Sequence, residues 1–451
     1  MEANVLMSVT PTIHVFAPGR TARHEAAFTW VLSSVLDLDW TWAEQEAAEG
    51  LDKAVIHCHY GGGIDAKGMA LPVDGLLSEV GQRRAEPPKV DGPDADLFAA
   101  VFWMASRMEE HLPGALRDDH GRFDPSGSIA ERKGWLDVPI CEHWAFRVGE
   151  RLLGVHWPAH REKLLARFKV VPTIDVDSAY AFRGKGGIRT MGALVRDLAK
   201  GRFSNVARRM RVILKQDSDP YDTYFRAQKW HRDRDLQAQW FFLLAAFGSH
   251  DKGLPPSSPE LGTLMRSMEK APDQEVHWHP GYASASDAQA LQREFDAFKR
   301  ILGRAPLASR QHYLKMDPTA TRRFLLALGI REDHTEGHAV RTGFRGGFSR
   351  SRPWYDLEAE SLTDLALCPF AAMDATYLRY LGTAPEAVPD SIRTLSDAVQ
   401  SVGGTLRLLW HNESLAPEGQ WAAWGNVYPA VLDAALEGTT PLPVPLLTEP
   451  L

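Results

Sequence analysis

From about Arg167 onward the chain alternates short apolar runs with helical patterns, and this alternation limits the fold more than any other feature. Runs suited to buried strands fall at 170–174, 240–245, 275–279, 307–310, 339–344, 364–369 and 405–411. Helical patterns stand between most of them, at 287–302, 318–328 and 390–402. Such a repeat predicts a β/α barrel or an open parallel sheet. Both architectures collect their active sites at the C-terminal ends of the strands. Asp175, Asp177, His279, Arg310 and His411 all fall at or just beyond such ends.

The first of these runs, Val170-Val-Pro-Thr-Ile-Asp175-Val-Asp177, closes on two carboxylates. Side-chain direction repeats every two residues along a strand, so Asp175 and Asp177 are expected to point to one side. Two acids aimed together suit one metal ligand and one general base, and the cost of burying them argues for chemistry. A strand end followed by an Asx turn or helix cap explains the same residues without chemistry.

Residues 1–160 have a different texture and read as a smaller α/β domain of their own, ahead of a second unit over 165–451. Strands are expected at 12–16 and 54–59, the second followed by Tyr60 and Gly61-Gly-Gly63, with helices at 25–36, 96–110 and 143–153. His57, His59, Glu109, Glu110, Asp119, His120 and Arg122 follow no ligand spacing and read as interface contacts.

With a net charge of -7, the chain lacks the overall basic face that nucleic-acid binding needs. A local basic cluster, Lys200-Gly-Arg202 through Arg208-Arg209-Met-Arg211, reads as a solvated helix face. Cys58, Cys141 and Cys368 are too scattered for a disulfide framework or a cysteine zinc site, which fits a reducing compartment. The opening residues do not read as a secretory signal, and no run approaches the ~20 apolar residues of a membrane span, so the expected location is cytoplasmic.

The motifs of the second unit resemble the polysaccharide deacetylase family, carbohydrate esterase family 4. Thr173-Ile-Asp-Val-Asp177 is similar to its first motif, and His277-Trp-His-Pro-Gly-Tyr-Ala-Ser284 sits where the histidine motif belongs. Ser309-Arg-Gln-His312 resembles the arginine motif, and Leu408-Leu-Trp-His-Asn-Glu413 the final one. With Ser106-Arg-Met-Glu-Glu110 and Asp119-His-Gly-Arg-Phe123, the whole chain resembles a bacterial subgroup carrying an extra N-terminal domain of unknown role.

That resemblance implies a distorted β/α barrel and a divalent metal, with zinc the expected ion, in an enzyme that removes acetyl groups from an amino sugar or polysaccharide precursor. It implies Asp175 as base, His411 as general acid, Arg310 as the partner that orients the base, and Asp177 and His279 as metal ligands. The family's second histidine normally lies a helical turn beyond the first, but four residues beyond His279 stands Ala283. His277 and Ser284 are the nearby substitutes, and the third ligand has no name at this stage. The aromatic and basic segment holding Arg345, Trp354 and Tyr355, together with Trp410, is a candidate surface for sugar rings and anionic groups. The alternative is a non-catalytic glycan-binding or assembly protein whose metal site has decayed.

Overall fold

The computed structural model describes residues 11–43, 55–61, 69–81, 83–90, 95–416 and 418–438. Met1–Ser8, Ala54, Gly62 and Gly63, which entered the expectations above, lie outside the described residues.

Two sheets organise the described residues. The smaller has the order β2-β1-β3-β4, with β1 (Thr12–Phe16), β2 (Trp40–Trp42), β3 (Val55–Tyr60) and β4 (Met69–Leu71) all parallel. The expected helix at 25–36 is an α-helix over Ala22–Phe28 that runs into a π-helical stretch, Thr29–Val35. The helix expected at 96–110 is Leu97–Ala105, and it breaks at Arg107, whose φ is 55°. Its Asp96 cap accepts from Ala99 N and from the Tyr60 hydroxyl at 2.5 Å, tying the helix to the end of β3.

The larger sheet has nine strands in the order β10-β11-β9-β8-β7-β6-β5-β13-β12. They are β5 (Lys169–Val176), β6 (Ala238–Leu243), β7 (Gln274–His279), β8 (Ala308–Ser309), β9 (Glu332–Asp333), β10 (Arg352–Asp356), β11 (Ser361–Leu367), β12 (Ala372–Met373) and β13 (Thr405–His411). Every pairing is parallel except β10 with β11. The central strands β5, β6, β7 and β13 are buried along nearly their whole length, as a parallel sheet covered by helices requires.

The large, mostly parallel sheet is what the strand–helix alternation predicts, and the barrel closure that the resemblance implies is not seen. No ladder closes this sheet among the described residues, so by its pairing it is open. It must nevertheless curl. From Leu367, the end of β11, to Ala372, the start of β12, the chain takes five residue steps, at most about 18 Å. Those two strands stand seven places apart in the sheet, about 34 Å if it were flat. The intervening backbone bonds to both margins, with Cys368 N donating to Asp333 O at 2.9 Å and Ala371 N to Arg407 O at 2.9 Å. One continuous segment thus bridges β9 and β13 without a regular strand pairing.

The run at 339–344 is not a strand. Irregular backbone occupies it, ending at Gly343 with φ 116°, where an added Cβ would meet the Leu136 carbonyl at 2.2 Å. The apolar residues there pack as a connector between the two parts of the chain. Helices follow the expected pattern more closely. Ala288–Leu302 begins on Asp287, which accepts from Gln289 N and Ala290 N, and ends at Gly303 in the left-handed conformation.

Candidate metal-binding and catalytic site

Strand register brings the site together. β13 pairs with β5 so that His411 lies beside Asp175. Across β6, Asp175 is level with Phe241 and then with His277, and Leu243 is level with His279. Asp177, two residues beyond Asp175, therefore comes level with His279 rather than His277. Trp278 pairs with Ser309, which sets Arg310 beside His279 at the next strand end.

Asp175, Asp177, His279 and His411 line one cleft, together with His312. His279 Nε2 lies 3.2 Å from Asp177 Oδ1, and His312 Nε2 lies 3.4 Å from Asp177 Oδ2. His411 Nε2 is 3.9 Å from Asp177 Oδ2. Each ring is held by its other nitrogen. His279 Nδ1 faces the Arg310 carbonyl at 2.5 Å, His312 Nδ1 faces Asp251 Oδ1 at 2.7 Å, and His411 Nδ1 faces Asp374 Oδ1 at 2.7 Å. Pinning Nδ1 fixes the ring and turns Nε2 toward the cleft, the arrangement that metal-ligating histidines use.

Asp177, His279 and His312 offer ligand atoms that all lie within 4.8 Å of one another. Asp177 Oδ1 and His279 Nε2 are buried and make no hydrogen bond of their own, which is costly unless a cation completes them. One carboxylate and two imidazoles are a donor set suited to zinc and similar divalent ions. Burial would push the Asp177 carboxyl up, but the neighbouring His312, His279 and His411 hold it well below the usual range. Burial likewise would lower His312, yet Asp177 and Asp251 hold it up at about 9. A cation between these groups would replace that proton. Among the described residues a second group, Glu332, His334 and Cys368, also has ligand spacing.

Arg310 is wholly buried and spends every arm on the site. Its Nη1 donates to Asp175 Oδ1 at 2.7 Å, Nη2 to Thr173 Oγ1 at 2.8 Å, and Nε to the His334 carbonyl at 3.0 Å. The second Asp175 oxygen is left 3.7 Å from His279 Nε2, facing the cleft. After β8 the chain turns sharply, with Tyr313 at φ 60° and Leu314 at φ 54°, an uncommon backbone for such residues.

Other candidates lie elsewhere. His277 is one layer below, bonded to Glu275 Oε2 at 3.1 Å and packed against Phe241 and His334. Ser284 donates to Glu294 Oε1 at 2.5 Å, and that carboxylate also accepts from Gly281 N, so Ser284 is spent away from the ligand set, and neither it nor Ala283 lines the cleft. Trp354 and Trp410 are buried in the main core, Trp410 against Tyr428. Tyr355 packs with Trp30 and Phe102 and donates to Glu360. Arg345 forms a bidentate pair with Glu110, at 2.8 and 2.6 Å. None of these four lines the cleft. Arg345, Trp354 and Tyr355 lie on the buried strand β10 and the connector before it, and Trp410 on β13, none on an exposed loop, so the sugar-stacking surface expected there is corrected to core packing and an ion pair.

Three residues that sequence reasoning passed over complete the site: His312, Asp251 and Asp374. His312 carried a usable signal, since it follows the 307–310 run just as His279 ends its own. The N-terminal part also reaches the cleft. Arg122 lines it and donates to the Tyr313 carbonyl at 2.9 Å, while His120 lies 3.1 Å from the Tyr282 hydroxyl.

Residues 13–157 match a family of unknown function (DUF7033). No curated protein matches the chain. Among solved structures, it is similar to a protein from Mycobacterium smegmatis assigned to the polysaccharide deacetylases, at 16% identity and a TM-score of 0.39, over 60% of this chain and 85% of that one. The polysaccharide deacetylase Bc1974 from Bacillus cereus aligns at 12% identity and a TM-score of 0.27, over 59% of this chain and 86% of that one. The Puue allantoinase aligns at 12% identity and a TM-score of 0.38, over 62% and 86%.

Proposed function

We propose that the protein is a metal-dependent hydrolase that removes an acetyl group from an amino sugar or polysaccharide precursor. The observation that carries this reading is the meeting of Asp177, His279 and His312 between an arginine-held carboxylate, Asp175, and an aspartate-held imidazole, His411. Asp177, His279 and His312 would hold the ion, and zinc suits their donor set. A divalent ion there supplies Lewis acidity toward an acyl carbonyl and makes nearby water more acidic.

The remaining work falls to the chain's own side chains. Asp175, held in place by Arg310, accepts a proton from the attacking water through the oxygen that faces the cleft. His411 faces the cleft through Nε2 and gives a proton to the departing amine or alcohol, while Asp374 fixes its tautomer and stabilises the cationic ring. Tyr313, Arg122 and Arg379 stand on the cleft wall, where they can orient a polar substrate. A carbohydrate substrate and a cytoplasmic setting belong to the same reading, drawn from the motif resemblance and the scattered free cysteines.

The non-catalytic alternative drew on Ala283. It loses that argument because His312, on the neighbouring strand end, stands where a third ligand is needed. The test is acetate release from acetylated amino sugars and oligosaccharides by protein reconstituted with zinc, cobalt or manganese. Turnover that disappears in Asp175→Ala and His411→Ala while metal is retained supports the hydrolase. A fully metallated protein that binds the glycans and turns none over would favour the binding protein.

A further inference from the structure

Two helices between β5 and β6 carry an apolar face that nothing among the described residues covers. Gly187–Ala199 presents Ile188, Met191, Val195 and Leu198 at helical spacing, and they are 92%, 61%, 61% and 49% exposed. Phe203–Ile213 adds Phe203 at 67%, with Met210 and Ile213 also exposed. A buried pair, Asp197 with Arg209 at 3.3 Å, ties the two helices together.

Charge tells what the face meets. Residues 185–215 contain nine lysines and arginines and one acid, Asp197, in a chain whose net charge is -7. The acid is spent on Arg209, and Arg208 and Arg211 face Glu418 and Asp217, so the cations left on the exposed flank are Arg196, Lys200, Arg202 and Lys215. A protein partner would be met by the apolar stripe alone, and a nucleic acid by the charge alone. Apolar residues flanked by Lys and Arg on paired amphipathic helices suit the boundary of an anionic bilayer, where the stripe enters the acyl region and the cations meet headgroups.

We infer that this helical pair docks the protein on an anionic lipid surface. Its position puts the cleft beside that surface. The Arg189 guanidinium donates to the carbonyls of Lys252 and Gly253 at 2.9 and 2.8 Å, and Lys252 lines the cleft. This inference stands apart from the hydrolase reading, because it uses none of the ligand or acid–base residues.

The test is co-sedimentation of the full chain with phosphatidylcholine vesicles, with and without phosphatidylglycerol. The wild type is expected to partition at least tenfold more onto the anionic vesicles, and less so as salt rises. The variant I188E/M191E/V195E should lose that binding, and R196E/K200E/R202E should weaken it at low salt. Circular dichroism and metal content, unchanged in both variants, show that the fold survives. Equal partition of wild type and I188E/M191E/V195E would overturn the inference. So would a wild type that ignores vesicles but forms a dimer these substitutions dissociate, which would assign the face to a second copy. Hydrolysis of a water-soluble acetylated sugar, read on the same samples, keeps failure of docking separate from failure of the chemistry.

Discussion

His312 reaches Asp177 from the strand end next to that of His279, and its Nε2 lies 3.4 Å from Asp177 Oδ2. A third donor of ligand type therefore stands across the sheet, and not a helical turn beyond His279. His312→Ala should lower metal affinity by more than about a hundredfold, beyond the usual loss on removing an outer-shell partner. His277→Ala and Ser284→Ala should leave it within a few-fold. A chelator competition titration separates these outcomes, and unchanged affinity in His312→Ala would return the third ligand to the unknown.

Arg310 and Asp175 form a buried pair at 2.7 Å. Removing only the cation strands a carboxylate away from water, so Arg310→Met should cost about 3–5 kcal/mol of stability, read by urea unfolding. Asp175→Asn keeps the shape and one acceptor for Arg310. It should cost far less stability while lowering kcat by about 10²–10⁴-fold with metal retained. Equal kcat for wild type and Asp175→Asn would exclude Asp175 as the base.

Asp374 accepts from both the backbone N–H of His411, at 2.8 Å, and faces its Nδ1 at 2.7 Å. Asp374→Asn retains hydrogen bonding but no longer fixes one tautomer. The expected result is a fall in kcat of about 10–100-fold, with KM and metal content nearly unchanged. Equal losses in KM and metal content would make Asp374 a structural residue only.

Glu294 is buried, and burial pushes its carboxyl up to about 7. Its folded-state value thus exceeds the unfolded one, so the folded protein favours the protonated acid. The sign follows: this group's contribution to stability is lost as pH rises from about 4.5 to 7, by up to about 3 kcal/mol. Glu294→Gln should abolish that portion of the pH dependence, making the variant gain on the wild type at pH 8 relative to pH 5. Thermal unfolding across that range checks it; parallel curves would contradict the assignment.

Much of the frame was readable because parallel strands announce themselves as apolar runs, and β13 falls on 405–411 as expected. The acids and histidines at strand ends were visible by the same rule. His312 was visible as a strand-end histidine, but its place beside His279 was not, since that follows from the Trp278–Ser309 pairing. The short strands β8, β9 and β12 have two residues each, too few to show a period. Trp354 and Tyr355 misled for another reason: aromatic residues near glycine and arginine suggest an exposed loop, whereas Trp354 is buried in the main core and Tyr355 against the N-terminal part. The run expected at 364–369 overshoots β11, which ends at Leu367, because the backbone of 368–371 bonds to two different strands.

The most direct measurement is X-ray absorption fine structure on protein loaded with one equivalent of zinc. Asp177, His279 and His312 predict an N/O-only shell near 2.0–2.1 Å with two imidazoles, lost in Asp177→Ala. A sulfur scatterer near 2.3 Å would place the ion at Glu332, His334 and Cys368 instead, and would contradict the account, as would failure to bind any ion.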